Sequence, residues 1–134
     1  MQDWNQQMIE EFHAKGGRGI TRFGDSLLLL TSTGARSGER RTTPLMFHRD
    51  KDNLVIVASK AGAPEHPAWY LNLEADPEVE IQVLDAVVPA TASTAHRPER
   101  ERLWALMREI WPAYDEYRTR TDREIPVVVL TPRP

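Results

Sequence analysis

The stretch TSTGARSGERRTTP, Thr31 to Pro44, gathers three arginines, two glycines and a run of hydroxyl side chains directly after four leucines. One acid, Glu39, stands against Arg36, Arg40 and Arg41. Gly34 and Gly38 let backbone amides turn towards an anion, and Ser32, Thr33, Ser37, Thr42 and Thr43 add hydroxyl donors. That make-up suits a nest for phosphate or carboxylate groups; it also suits a solvated hairpin loop with ordinary surface arginines. Three charge-assisted hydrogen bonds, at about 1.5 to 3 kcal/mol each, give on the order of 5 to 9 kcal/mol. Micromolar affinity needs about 8 kcal/mol before ordering costs. Such a cluster therefore anchors an anionic group only if the rest of the ligand also packs.

A second concentration is IWPAYDEYRTRTD, where Trp111, Tyr114 and Tyr117 recur every three residues. On a helical turn these rings line one side, and flat rings with polar tips suit a planar heterocycle or an aromatic substrate. The alternative is a core edge covered by aromatics. Asp115, Glu116 and Arg118 around them argue for a segment near the surface, hence for a pocket wall.

Several chemistries are missing. The chain has no cysteine, which excludes disulfides, thiol nucleophiles and Cys-metal sites and fits a reducing cytoplasm. His13, His48, His66 and His96 lack metal-ligand spacing, so no metal site is expected. There is no nucleophile triad, paired-carboxylate motif or P-loop signature. A net charge of -3 lacks the basic excess of a nucleic-acid binder, so no nucleic-acid partner is expected.

The 134 residues suit one domain, 1–134. Residues 3–15 place Trp4, Met8 and Phe12 four apart with Ile9 beside them, an amphipathic helix closed by GGRG; with its connector it occupies 1–19. It is a candidate to pack on the domain, cover a site or touch a membrane surface. The opening has no basic n-region, so it is not a secretory signal. The longest apolar run, Leu27 to Leu30, is far short of the roughly 20 residues that span a bilayer, so the expectation is a soluble, cytoplasmic protein, at most surface-attached.

From Ser26 the pattern changes to strands: SLLLLTST, RTTPLMFHRD and LVIVASK, with RDKDN as the turn between the last two. If these form a meander, the exits of the first and third strands meet, and Ser59 and Lys60 join the arginines. A short helix holding Trp69, Tyr70 and Leu73 follows two prolines and stops at Asp76-Pro77. VEIQVLDA and VVPATASTAHR read as a hairpin, with Pro89 confining its strand to an edge or bulge. PERERLWALMREIW is an amphipathic helix with Leu103, Leu106, Met107 and Ile110 on its apolar face, stopped by Pro112. A polar, tyrosine-bearing loop follows, and IPVVVL closes the chain as a strand. The expected fold is α+β, about six mainly antiparallel strands rolled into a small barrel with peripheral helices.

In combination, LLLLTSTGARSGERRTTPL, VIVASKAGAPEHPAWYLNLEADPEVE and IWPAYDEYRTRTDREIPVVVL resemble the deazaflavin-dependent nitroreductase family of actinobacteria, over about Leu27 to Leu130. The resemblance implies a split β-barrel, like the FMN-binding split barrels, that binds the reduced 5-deazaflavin coenzyme F420 and delivers its hydride to a quinone, nitroaromatic or activated alkene. It implies that Arg36, Ser37, Gly38 and Arg41 hold the coenzyme's phosphate and polyglutamate tail, with Lys60 close by. Pro44, Leu45 and Met46 would then lie along the deazaflavin, Ala58 and Ser59 beside the ring system, and Trp111, Tyr114 and Tyr117 around the acceptor.

Hydride transfer is the coenzyme's own reaction, which accounts for the missing catalytic motif. The proton would come from Tyr114, Tyr117 or water held by Ser59. Ala35 stands where relatives often carry a second basic residue, and Trp111 and Met46 stand where the nitroimidazole-activating enzyme has tyrosines, so that prodrug activity does not carry over. His66 stands where an asparagine is usual. An FMN enzyme of the same fold and a non-catalytic carrier of F420 or a lipophilic ligand are the alternatives; the oligomeric state stays open.

Overall fold

Leu27 to Leu30 have no polar residue among them, the pattern of a strand covered on both faces, and all four are buried in β1 (Leu27–Thr33). The computed structural model describes residues 4–133, so Asp3 of the expected opening helix and the extreme ends of the expected domain lie outside the described residues. A hairpin leads from β1 to β2 (Arg40–Met46), pairing Thr33 with Arg40 and Leu27 with Met46. Pro44 is tolerated because β2 is an edge strand.

RTTPLMFHRD is two strands rather than one. Phe47 turns inward to 8% exposure, and its amide donates to the Ser26 carbonyl at 2.9 Å. That break separates β2 from β3 (His48–Asp50), which forms a tight hairpin with β4 (Asn53–Val57). Among the described residues the sheet therefore has seven strands instead of about six, completed by β5 (Glu78–Val83), β6 (Ala86–Thr94) and β7 (Val127–Pro132).

Every pairing is antiparallel, in the order β2-β1-β5-β6-β7-β4-β3. The first three expected strands are thus not a meander, because β4 pairs with β7 at the far side of the sheet. Curling brings β2 and β4 back together, so that Pro44, Leu45 and Val57 face one cavity. The result is a split-barrel α+β fold. β6 is internal, between β5 and β7, and its register with β5 runs unbroken through Pro89, so it is neither the edge strand nor the bulge that Pro89 suggested. Pro89 lies opposite Glu80 in the β5–β6 ladder, but its carbonyl accepts the Arg133 amide at 2.9 Å, so its nitrogen faces the β7 side. There it falls one residue beyond the ladder that begins at Ala90 opposite Pro132, and its missing N–H costs no ladder bond.

Among the described residues four helices pack around the sheet. In α1 (Trp4–Lys15), Met8 and Phe12 are buried with Ile20, Leu27 and Leu29. The amphipathic stripe is therefore spent on packing rather than on a membrane; Trp4 alone of its large apolar residues is half exposed, at 52%. Gly17, at φ +76°, ends the helix, and a Cβ there would lie 2.9 Å from both the Leu84 backbone and the Phe12 ring. No helix among the described residues is long and apolar enough to cross a membrane. A 3-10 turn, Lys60–Gly62, precedes α2 (Ala68–Ala75), whose Trp69, Tyr70 and Leu73 enter the main core. Leu103, Trp104 and Met107 of α3 (Glu99–Ile110) and Tyr114 of α4 (Ala113–Thr119) form a second core on β4 and β7.

Candidate active site

Both glycines of the basic loop have a steric reason to be there. Gly34 donates to the Glu39 carbonyl at 2.7 Å and Gly38 to the Gly34 carbonyl at 2.9 Å, closing the turn on itself. Gly38 sits at φ +73°, and a Cβ on Gly34 would meet the Ser37 hydroxyl at 2.6 Å. The loop is also tied to α2: Asn72 Oδ1 accepts the Ala35 amide at 2.9 Å, and its Nδ2 donates to the buried Ser32 hydroxyl at 3.4 Å.

The three arginines are not equivalent. Arg40 donates to the Thr33 hydroxyl at 2.8 Å, and Arg41 lies 3.2 Å from Glu39. Arg36 is exposed and makes no ion pair among the described residues. All three, with Ser37, line a cleft of about 870 Å³. Gly38 shapes the turn without reaching the cleft wall.

A second cavity, of about 670 Å³, adjoins the first. Pro44, Leu45 and Met46 of β2 form one side, Ser59 and Lys60 another, and Trp111, Tyr114 and Tyr117 a third. Asn5, Thr43, Ala68 and Trp69 belong to the walls of both cavities, so the two form one continuous groove. The expected aromatic wall is assembled here. Two expectations change. Lys60 lies on the apolar cavity, 2.8 Å from Glu65, instead of among the arginines, because β4 runs at the other side of the sheet. Ala58 is fully buried and only its neighbour Ser59 reaches the wall.

Tyr114 is more deeply placed than its charged neighbours suggested, at 6% exposure, because Asp115 and Arg118 point outward around Trp104. Burial pushes the Tyr114 phenol above its ordinary range, with the neighbouring Tyr117 adding to the effect. Tyr117 is half-buried, its ring 6.0 Å from that of Tyr114 and its hydroxyl 3.3 Å from the indole nitrogen of Trp111. Trp4 and Phe23 complete the mouth: Phe23 stands 6.1 Å from both Trp4 and Trp111, centroid to centroid. Neither Phe23 nor Asn72 was singled out from sequence. Nothing local marks them, although Asn72 faces the loop because α2 packs on β1.

The first half of the groove offers guanidinium and hydroxyl donors, which suit phosphate or carboxylate groups. The second offers an apolar slot with a few polar tips, which suits a planar ring. A single ligand with an anionic tail and a flat head matches both.

Comparison with known proteins names such a ligand. Residues 4–132 match the model of the F420H(2)-dependent quinone reductase family. The F420H(2)-dependent quinone reductase Rv1261c of Mycobacterium tuberculosis is 48% identical over 109 residues, which are 79% of this chain and 73% of the relative. Among solved structures, the F420-H2 dependent reductase FDR-A superposes with a TM-score of 0.73 at 45% identity, covering 78% of this chain and 93% of its own. A structure described as a domain-swapped dimer gives 0.76 at 41% identity, over 92% of each chain. The family match runs from the first residue of α1 to the last of β7, and the chain belongs to the F420H2-dependent quinone reductase family.

Proposed function

We propose that the groove seats reduced F420 with its anionic tail on Arg36, Ser37 and Arg41 and its ring along Pro44, Leu45 and Met46, facing a quinone held by Trp111, Tyr114 and Tyr117. The observation that carries this reading is the shared wall at Thr43, Ala68 and Trp69, which joins an anion-binding cleft to an apolar slot. As a member of the family the chain is an oxidoreductase with reduced F420 as hydride donor. The bound deazaflavin supplies the hydride.

The protein's part is to bind, orient and supply a proton. The turn closed by Gly34 and Gly38, braced by Asn72, presents donors already aimed, which lowers the ordering cost of holding an anion. Phe23, Trp69 and Trp111 exclude water from the slot. A quinone that gains a hydride also needs one proton to become a hydroquinone. Tyr117 supplies it: the Trp111 N–H can only donate, so it occupies a lone pair on the Tyr117 oxygen and leaves the phenolic proton free. Tyr114, its proton held more tightly by burial, orients the acceptor by hydrogen bonding. Nitroaromatics and activated alkenes make the same electronic demand and belong to the acceptor range. The absence of cysteine fits a cytoplasmic setting for this reaction.

The test is to mix the protein with reduced F420 and a panel of quinones and nitroaromatics and to follow return of the oxidised coenzyme's absorbance. Acceptor-dependent oxidation supports the reading. Tight coenzyme binding without turnover of any acceptor would make the protein a carrier instead.

A further inference from the structure

Arg123 lies between α4 and β7 and lines neither half of the groove, yet its guanidinium meets four acceptors of a single segment. Nε donates to the Ala63 carbonyl at 2.9 Å, and Nη2 to the Ser59 carbonyl at 2.8 Å. Nη1 reaches the Ala58 carbonyl at 3.3 Å and Nδ1 of His66 at 2.9 Å. The segment so gripped carries Ser59 and Lys60 past the apolar cavity.

That segment needs to be held. Lys60, Ala61 and Gly62 have φ of 46°, 54° and 81°. The left-handed region disfavours the first two, and such residues persist only where their surroundings over-determine them. Gly62 donates to the Ser59 carbonyl at 2.9 Å and Ala63 to the Lys60 carbonyl at 3.0 Å, so the turn and Arg123 share one acceptor. On its other side Gly62 is pressed against α4, where a Cβ would lie 2.8 Å from the Tyr117 carbonyl. The turn is wedged between the guanidinium and the backbone of the helix that carries Tyr114 and Tyr117.

We infer that Arg123 is a positioning residue for the hydride transfer proposed above, on which this reading rests: by fixing the carbonyls of Ala58, Ser59 and Ala63 it holds the Ser59–Lys60 wall in register with Tyr117. His66 completes the grip: a guanidinium only donates, so Nδ1 of His66 accepts.

The experiment compares wild type, Arg123→Lys, His66→Asn and His66→Leu by amide hydrogen exchange at Gly62 and Ala63 in the coenzyme-free protein, and by kinetics with reduced F420 and menadione. Lysine keeps the charge but not the fork, so protection at both amides should fall about tenfold or more while the β1 amides keep theirs. The kcat with menadione should fall about tenfold or more as well. Asparagine offers Nη1 an acceptor, so His66→Asn should keep wild-type protection, whereas leucine offers none and should lower it. Unchanged protection and kcat in Arg123→Lys would overturn the assignment. Should Arg123→Lys fail to fold, the two His66 variants decide, and equal protection in both would overturn it. Exchange is read without coenzyme, so a wild type that turns over no acceptor would defeat the proposed function while the amides still judge the clamp.

Discussion

The indole nitrogen of Trp111 lies 3.3 Å from the hydroxyl of Tyr117, joining the end of α3 to α4 across the mouth of the apolar cavity. The bond has one possible direction, from indole to phenol, and leaves the Tyr117 phenolic proton free for the role proposed above. Tyr117→Phe is expected to lower kcat on quinones by about a hundredfold or more while leaving coenzyme affinity nearly unchanged, the usual scale for loss of a general acid. Tyr114→Phe should cost less. Steady-state kinetics on both variants decide the matter; a Tyr117→Phe enzyme at full kcat would transfer the role to water held by Ser59.

The basic loop ranks its arginines by what already engages them. Arg36 has no ion-pair partner among the described residues, whereas Arg40 is held by Thr33 at 2.8 Å. Titration with F420 should therefore show Arg36→Ala weakened by about tenfold or more and Arg40→Ala by less, since each charge-assisted bond contributes about 1.5 to 3 kcal/mol. Equal affinities for wild type and Arg36→Ala would remove the anion nest from the account.

Much of this was legible in the sequence, and the failures share a cause. The SGERR turn, the aromatic triad and three of the four helices follow from local chemistry: glycine conformation, the three-residue spacing of Trp111, Tyr114 and Tyr117, and prolines at helix starts; α4 stands where the sequence reads as a polar loop. Strand partners do not. The unbroken apolar run from Leu54 to Val57 says that β4 is covered on both faces but not that it lies beside β7, so Lys60 was assigned to the wrong half of the groove. Arg123 and Asn72 stayed hidden for the same reason. Each reads as an ordinary polar residue until the fold brings it against a loop about 60 or 37 residues away in sequence, respectively.

The junction that follows α1 should respond to acid in a defined direction. The Lys15 ammonium, chiefly, together with the Thr21 amide and hydroxyl, holds the Glu11 carboxyl down to about 2. A lowered carboxylate pKa contributes stability above the unfolded value of 4.5, and that contribution is lost as pH falls towards 2. Glu11→Gln should therefore melt at a lower temperature than wild type at neutral pH. The gap should close as the pH drops below about 4.5. Melting curves across that range check it, and a gap that persists at the acid end would contradict the assignment.

The central claim is that one groove reads two parts of one coenzyme, the tail at Arg36 and the ring at Pro44 to Met46. It is tested most directly by comparing reduced F420 with its deazaflavin-ribityl fragment, which lacks phosphate and tail, as hydride donors to menadione. Binding energy from a remote anionic tail appears chiefly in KM when the reacting ring is seated alike in both donors. The account predicts a KM for the fragment about tenfold or more above that for F420, with kcat within about threefold. Equal kcat/KM for the two donors would show that the basic half of the groove does not hold the coenzyme.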